Sequence, residues 1–315
     1  MRFLLQPFHD PYYNIATEEY LLRHEADNFI VLYRNTPSVI VGKHQNAMAE
    51  LNHAFVYSNA IPVVRRLSGG GAVFHDLGNI NFCFIVNGEE GKLVDFKRFT
   101  YPIIEFLKRF GIEAHLGEKN DIRVGEFKIS GNAEHVYKNR VMHHGTLLFN
   151  TNMHWLEQAI KSNEKSYTDR AIRSNRSETI NIVKLIPYPI TVENFENNLA
   201  EYLTANFEAI SFLPDGNMHK EIERLSATKY KDWNWNYGYN ANYELKVDIN
   251  SETLILKISN GIIERVEMKK KPKDLWISEF AKLLEGKRHE YNHLKMELGK
   301  TELSKTADAI IDKLF

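Results

Sequence analysis

The sequence predicts an α+β protein built as a large sheet-containing domain followed by a small second domain. Three observations carry that reading. Many short β-rich runs are interspersed with helical stretches that do not alternate with them strictly, which favours an α+β sheet domain over a doubly wound one. Composition shifts at Lys229–Tyr243 (KYKDWNWNYGYNANY) to Trp, Tyr and Asn with few aliphatic residues. The 315 residues suffice for one large domain and a small one. The expected division is residues 1–243 and 244–315.

Taken in order, Asn14–His24 (NIATEEYLLRH) has an apolar side at Ile15 and Leu22 and a polar opposite side, predicting a short amphipathic helix with Asn14 as N-cap. Phe29–Tyr33 and Ser38–Val41 flank Asn35-Thr36-Pro37 and read as strands paired around a turn. Ile61–Arg66 is a strand running into Ser68-Gly69-Gly70-Gly71. In Asn79–Val86, Ile80, Phe82 and Phe84 alternate with Asn79, Asn81 and Cys83, the pattern of a half-buried strand. Phe96, Phe99, Ile103, Leu107 and Phe110 recur at helical spacing from Asp95 to a C-cap at Gly111, with Pro102 implying a kink or a late start. Phe127–Ile129 and Gly145–Phe149 read as strands and Val192–Ala209 as a helix; beyond residue 243, Tyr243–Lys257 and Gly261–Met268 read as strands and Ile277–Leu284 as a helix.

Charge and composition exclude several classes. Lys+Arg number 40 against 41 Asp+Glu, a formal net charge of −1, whereas nucleic acid and anionic membrane call for surplus positive charge. The basic run Lys269–Lys273 therefore reads as a solvated turn. Hydrophobic residues at 43% and charged residues at 26% are ordinary for a globular chain. The single cysteine, Cys83, excludes an intramolecular disulfide framework and fits a cytoplasmic setting. Neither a signal-peptide core nor an apolar run long enough to span a membrane is evident.

Three segments hold the candidate chemistry. In Arg65–Asp76 (RRLSGGGAVFHD), three consecutive glycines leave backbone N–H groups open to a phosphate or carboxylate, and the two arginines offer bidentate donors; a tight hairpin with surface arginines is the equally good plain alternative. The pattern is neither a Rossmann fingerprint nor a P-loop. In Asn120–Ala133, Lys128 beside Ser130-Gly131 can place a charge over an anion, and Asp121 can share a metal or a ribose hydroxyl; an exposed strand lysine is the bland reading. In His143–Leu148, adjacent histidines on a strand point to opposite faces, so one packed histidine and one near the site is preferred over a metal pair. A G-x-S-x-G motif is lacking, and mid-strand Cys83 reads as an inert buried thiol.

Together these segments resemble the lipoate-protein ligase A family, within the superfamily shared with biotin protein ligases and octanoyltransferases. The resemblance rests on RRLSGGGAVFHDLGNINF (Arg65–Phe82), NDIRVGEFKISGNA (Asn120–Ala133) and HHGTLLFN (His143–Asn150), supported by NIATEEYLL, YRNTPSVIVGKHQN, SNRSETINI and WNWNYG. It implies a class II synthetase-like catalytic domain with a small α+β accessory domain. It also implies condensation of lipoate with Mg-ATP to lipoyl-AMP, then transfer to a lysine of a lipoyl-acceptor domain in a 2-oxoacid dehydrogenase complex or glycine-cleavage H protein. By the same likeness Lys128 is the catalytic cation and Asp121 lies at the metal. Arg66, Gly71, Ala72, Val73, Phe74, His75, Asn79, Asn120, Asp121, Ser130, Gly131, His144, Gly145, Thr146 and Arg176 bind the acyl group or nucleotide, and Arg170–Asn181 is a closing loop. Departures occur at Arg170-Ala171, where many relatives have Lys-Gly, at Glu178, where they have a basic residue, and at Tyr239, where they have Lys or Gln. The rivals are an ATP-independent octanoyl or lipoyl transferase, a biotin ligase, and a carrier-binding protein without adenylation.

Overall fold

The computed structural model describes residues 1–88, 93–160, 166–174, 177–250, 252–268, 275–301 and 307–315. The basic run at 269–273 and Arg176 lie outside these residues.

An eight-stranded mixed sheet forms the centre. Its strands lie in the order Ile210–Ser211, Arg2–Leu5, Phe29–Tyr33, Asn79–Asn87, Arg140–Leu148, Phe127–Tyr137, Ile122–Val124 and His115–Leu116. Ile80, Phe82, Phe84 and Val86 pack on one face beneath the helices Phe96–Lys108 and Val192–Asn206, whereas Cys83 and Ile85 pack on the other beneath the helix Pro11–His24. Asn79–Asn87 is therefore buried on both faces up to its last residue, not half-buried as its alternation suggests. Alternation separates two faces, but it does not say whether a helix covers the second.

Two local expectations are corrected. The first helix starts at Pro11, a full turn earlier than expected, because Asp10 caps it by accepting from Tyr12 N at 2.9 Å and proline suits the first position. Asn14 is instead buried inside the first turn, donating to the Phe8 carbonyl at 2.9 Å. The strands Phe29–Tyr33 and Ser38–Val41 do not pair with each other; the second is the middle strand of a separate three-stranded sheet, parallel to Val63–Arg65 and antiparallel to Val73–His75. The glycine segment thus has to pass from one side of Ser38–Val41 to the other, arching over its end. Gly70 takes φ +87° there, a left-handed value that favours glycine. The Phe96–Lys108 helix starts directly after its cap Asp95 with Pro102 inside, which leaves no late start, and Gly111 closes it at φ +74°.

The C-terminal part is an antiparallel meander, Tyr243–Ile249, Glu252–Ser259 and Ile262–Met268, packed on the helices Leu275–Leu284, Tyr291–Gly299 and Ala307–Leu314. Alternation is clean here: Tyr243, Leu245, Val247 and Ile249 face a core that includes Phe280, Leu294 and Ile311. A fourth strand comes from far upstream, since Ser166–Thr168 pairs antiparallel with Tyr243–Ile249. Met48 also sits in this core.

Candidate active site

Consecutive residues on a strand point to opposite sides, and this separates the two arginines. Arg65 is fully buried and spends its donors on the carbonyls of Gly42, Lys43, Gln45, Trp235 and Asn236 and on Asn240 Oδ1, at 2.6 to 3.1 Å. It cannot also serve an anion, so the expectation of a paired arginine clamp is corrected. Arg66 turns under the glycine loop, where its Nη2 donates to Gly69 O at 2.6 Å and Gly71 O at 2.8 Å, Nη1 to Ile40 O at 3.1 Å and Nε to Ser68 Oγ at 2.9 Å. Burial lowers its pKa to about 10, which leaves it charged at neutral pH.

Lys128 stands on the Phe127–Tyr137 strand, and the segment after residue 177 runs alongside it: Lys128 N donates to Glu178 O at 2.8 Å and Ile180 N to Lys128 O at 3.2 Å. Burial holds its ammonium below the ordinary lysine range; Asp121 opposes that shift, whereas Arg123, Arg66 and Lys119 reinforce it. Among the described residues no carboxylate lies within ion-pairing distance of its Nζ. Asp121 Oδ2 accepts from Arg123 Nε at 2.8 Å, and its buried Oδ1 has no hydrogen-bond partner among the described residues. An orphaned carboxylate oxygen at a cation-rich site fits a divalent metal arriving with phosphates. No group of three His, Cys, Asp or Glu that could hold one unaided occurs among the described residues.

Two adjoining cavities meet at this lysine. The narrower, about 210 Å³, is lined by Lys119, Asp121, Lys128, Gly70–Val73, Ile15, Tyr33, Ile40 and His75 among others. The wider, about 840 Å³, opens between Ala72–Phe74, Phe127, Leu148, Leu156 and Glu178. Ala72, Val73, Lys128, Gly131, Thr146, Ser174 and Ser177 line both. Of the expected site residues, Arg66, Gly71, Ala72, Val73, His75, Asp121, Lys128, Gly131, His144, Gly145 and Thr146 line the narrow cavity, and Phe74 lines the wide one. Asn79, Asn120 and Ser130 line neither: Asn79 is buried on Asn81 Oδ1 at 2.9 Å, while Asn120 O and Ser130 Oγ both face Asn132 Nδ2, at 3.0 and 3.3 Å. Gly145 is confined between Phe82 and Asn132 Oδ1, where an added Cβ would meet both within 2.4 Å.

The histidines divide as their strand positions require. His143 is packed on the rings of Phe82 and Phe99 and bonded to Glu134 at 2.9 Å. His144 faces the narrow cavity and links Glu18 Oε2, 2.8 Å from Nδ1, to Ser68 Oγ, 2.6 Å from Nε2. A serine, a histidine and a carboxylate in line resemble a nucleophilic triad, but Ser68 lines neither cavity and its oxygen already accepts from Arg66. Cys83 is buried, and desolvation together with Glu18 pushes its thiol well above the ordinary range, so it is no thiolate. Residue patterns also passed over Ser174, whose Oγ accepts from Ala72 N and Gln45 Nε2 at 3.0 Å each and so fastens its own stretch, residues 166–174, to the glycine loop. Glu18 was missed too, although two adjacent acids on an otherwise buried helix were a usable sign.

Central sheet, glycine arch and lysine strand together place exposed backbone and one ammonium around a single site. The chain belongs to the lipoyl protein ligase A/B catalytic domain family, which it matches over residues 10–204. It is 34% identical to lipoate–protein ligase 1 of Staphylococcus aureus, over 93% of this chain and 92% of that one. With lipoate-protein ligase LplJ of Bacillus subtilis it shares 36% identity over 90% of this chain and 89% of the relative. Among solved structures it is similar to P. falciparum LipL1 in complex with lipoate, at 25% identity and a TM-score of 0.66, with 98% of each chain covered. No described helix is long and apolar enough to cross a membrane.

Proposed function

We propose that the protein is an ATP-dependent lipoate–protein ligase. The observation that carries this reading is the position of Lys128, an ammonium without a carboxylate partner among the described residues, at the junction of a narrow, partly apolar cavity and a wide open one. A carboxylic acid with an aliphatic tail fits the first and a nucleotide the second, which brings two anions to one cation. The relatives named lipoate–protein ligase identify the acid as lipoate.

In the first step a lipoate carboxylate oxygen attacks the α-phosphorus of ATP, forming lipoyl-AMP as the bond to pyrophosphate breaks. Lys128 stabilises charge on the phosphoryl and acyl oxygens, and the Gly70–Ala72 backbone held open by Arg66 presents the chain closely to the ligand. Magnesium, for which Asp121 Oδ1 would supply one ligand, neutralises phosphate charge when bound. In the second step the amine of an acceptor lysine attacks the acyl carbon, AMP leaves with the bonding pair, and the amine proton passes to solvent. The cationic site disfavours the ammonium form of that lysine and stabilises the tetrahedral oxyanion. Neither step needs an enzyme nucleophile, which agrees with Cys83 and Ser68 lying off both cavities and argues against the thioester transferase.

The acceptor is a lipoyl domain of a 2-oxoacid dehydrogenase complex or glycine-cleavage H protein, residues 1–243 carry the chemistry, and residues 244–315 form the accessory domain. The test is ATP–pyrophosphate exchange by purified protein with Mg²⁺ and lipoate, octanoate or biotin side by side. Lipoate-dependent exchange is expected; exchange no greater than without an acid removes the reading.

A further inference from the structure

His75 is buried in the wall of the narrow cavity, and its Nε2 has no hydrogen-bond partner. Its protonation follows from a relay that starts at the backbone. Asn14 Nδ2 donates to the carbonyls of Phe8 at 2.9 Å and Arg34 at 3.4 Å, which fixes the orientation of that amide. The same Nδ2 donates to Asn35 Oδ1 at 2.8 Å, so Asn35 presents its own Nδ2 to His75 Nδ1 at 3.0 Å. An amide nitrogen only donates, hence His75 Nδ1 accepts and the proton of the neutral ring sits on Nε2. Burial and the neighbouring Arg66 and His144 keep the ring neutral, with a pKa near 3.

The depth of this donor follows from the strand. Val73 lies beside Gly131, where Lys128 Nζ also lies. His75 is on the same face two residues on, roughly 7 Å further along. An acid whose carboxylate meets Lys128 therefore lays its first methylenes along Val73 and its register partner Ile40 and brings its distal carbons to His75. Tyr33 donates its hydroxyl to Glu18 Oε1 at 2.9 Å and so does not compete for the ligand, whereas Asn81, which also lines this cavity, spends one of its two N–H groups on Tyr33 O at 3.2 Å. A buried N–H with no acceptor is unfavourable, and a ligand that supplies one is selected over a ligand that does not.

We propose that His75 is a specificity-determining residue: its Nε2–H donates to a sulfur of the lipoate dithiolane and so favours lipoate over octanoate, a chain of equal length with no distal acceptor. This rests on the acyl-activating function proposed above. Sulfur is a weak acceptor, so the preference it adds is about tenfold and no more.

The experiment measures kcat/KM for pyrophosphate exchange with lipoate and with octanoate in the full chain, in His75→Leu and in Asn35→Asp. Asp at position 35 would accept from Nδ1–H and move the ring proton away from the cavity while keeping the imidazole. Both variants are expected to lose lipoate exchange preferentially, bringing the ratio of the two acids down by about tenfold. In ¹⁵N-histidine-labelled wild-type protein, a neutral Nε2-protonated ring absent from His75→Leu is expected, its Nε2 signal shifting with lipoate and not with octanoate. If His75→Leu does not fold, Asn35→Asp and the wild-type spectrum decide. An unchanged ratio, equal loss of both acids, or a ring protonated at Nδ1 overturns the proposal while leaving the ligase reading intact. Exchange with neither acid in the wild type overturns both.

Discussion

Replacing Lys128 by methionine separates the contribution of its charge to the reaction from its contribution to the fold. Methionine keeps most of the stem and discards the ammonium. In the ligand-free protein that ammonium is desolvated, lacks an ion-pair partner among the described residues, and shares its surroundings with Arg123, Arg66 and Lys119. Its loss relieves the fold, and a gain of about 1 kcal/mol is the usual scale for such a functional residue. For a chain of this length that raises Tm by roughly 2 °C. During adenylation the balance reverses. Two unit charges about 4 Å apart attract by about 4 kcal/mol at an effective dielectric constant near 20, the same scale as the loss of one preorganised donor, about 3–4 kcal/mol. Lipoate-dependent exchange should therefore fall by about 10²–10³-fold while the melting curve stays cooperative and does not move down. Thermal melting by circular dichroism and the exchange assay on the same preparation read both quantities. Exchange within tenfold of wild type, or a melt several degrees lower, would refute the reasoning.

Three further outcomes follow. Arg65→Met leaves five carbonyls without their buried donor and should destabilise the fold by at least about 3 kcal/mol in urea denaturation; a variant as stable as wild type would show that Arg65 does not hold the Gly42–Gln45 segment to Trp235–Asn240. Cys83→Ala should still lipoylate an acceptor domain at within about twofold of the wild-type rate, at a packing cost of about 1 kcal/mol; loss of transfer in a folded variant would revive the thioester route. Acid should weaken the protein through His75, whose pKa is depressed to about 3 on folding. Such a group contributes stability that is complete above its unfolded pKa near 6.5 and is lost as pH falls towards 3. Between pH 6.5 and 5 the loss from this group alone is about 2 kcal/mol, to be read as the difference in pH slope between wild type and His75→Leu.

Much of the fold was legible because most elements obey local rules. The Phe96–Lys108 helix shows its apolar stripe, its Asp95 cap and its Gly111 stop within one window, and the Tyr243–Ile249 strand alternates without exception. What escaped was decided between distant segments. Phe29–Tyr33 and Ser38–Val41 look like a hairpin because only a short turn separates them, yet each has a better partner elsewhere. Ser166–Thr168 joins a sheet whose other strands begin more than seventy residues later, and no local pattern announces such a pairing.

The residue types alone determined the chemistry on offer: one lysine beside Ser-Gly on a strand, three glycines after another strand, a net charge of only −1 and a lone mid-strand thiol. Those are properties of composition and short spacing, and they survive any arrangement of the chain. Only the tertiary structure decided which cations face the ligand. Arg65 and Arg66 are adjacent and chemically identical, but strand geometry sends the first into a cage of carbonyls and the second under the glycine arch. It likewise decided which proton His75 carries, because that depends on an amide relay from Phe8 through Asn14 and Asn35 that spans three separate segments.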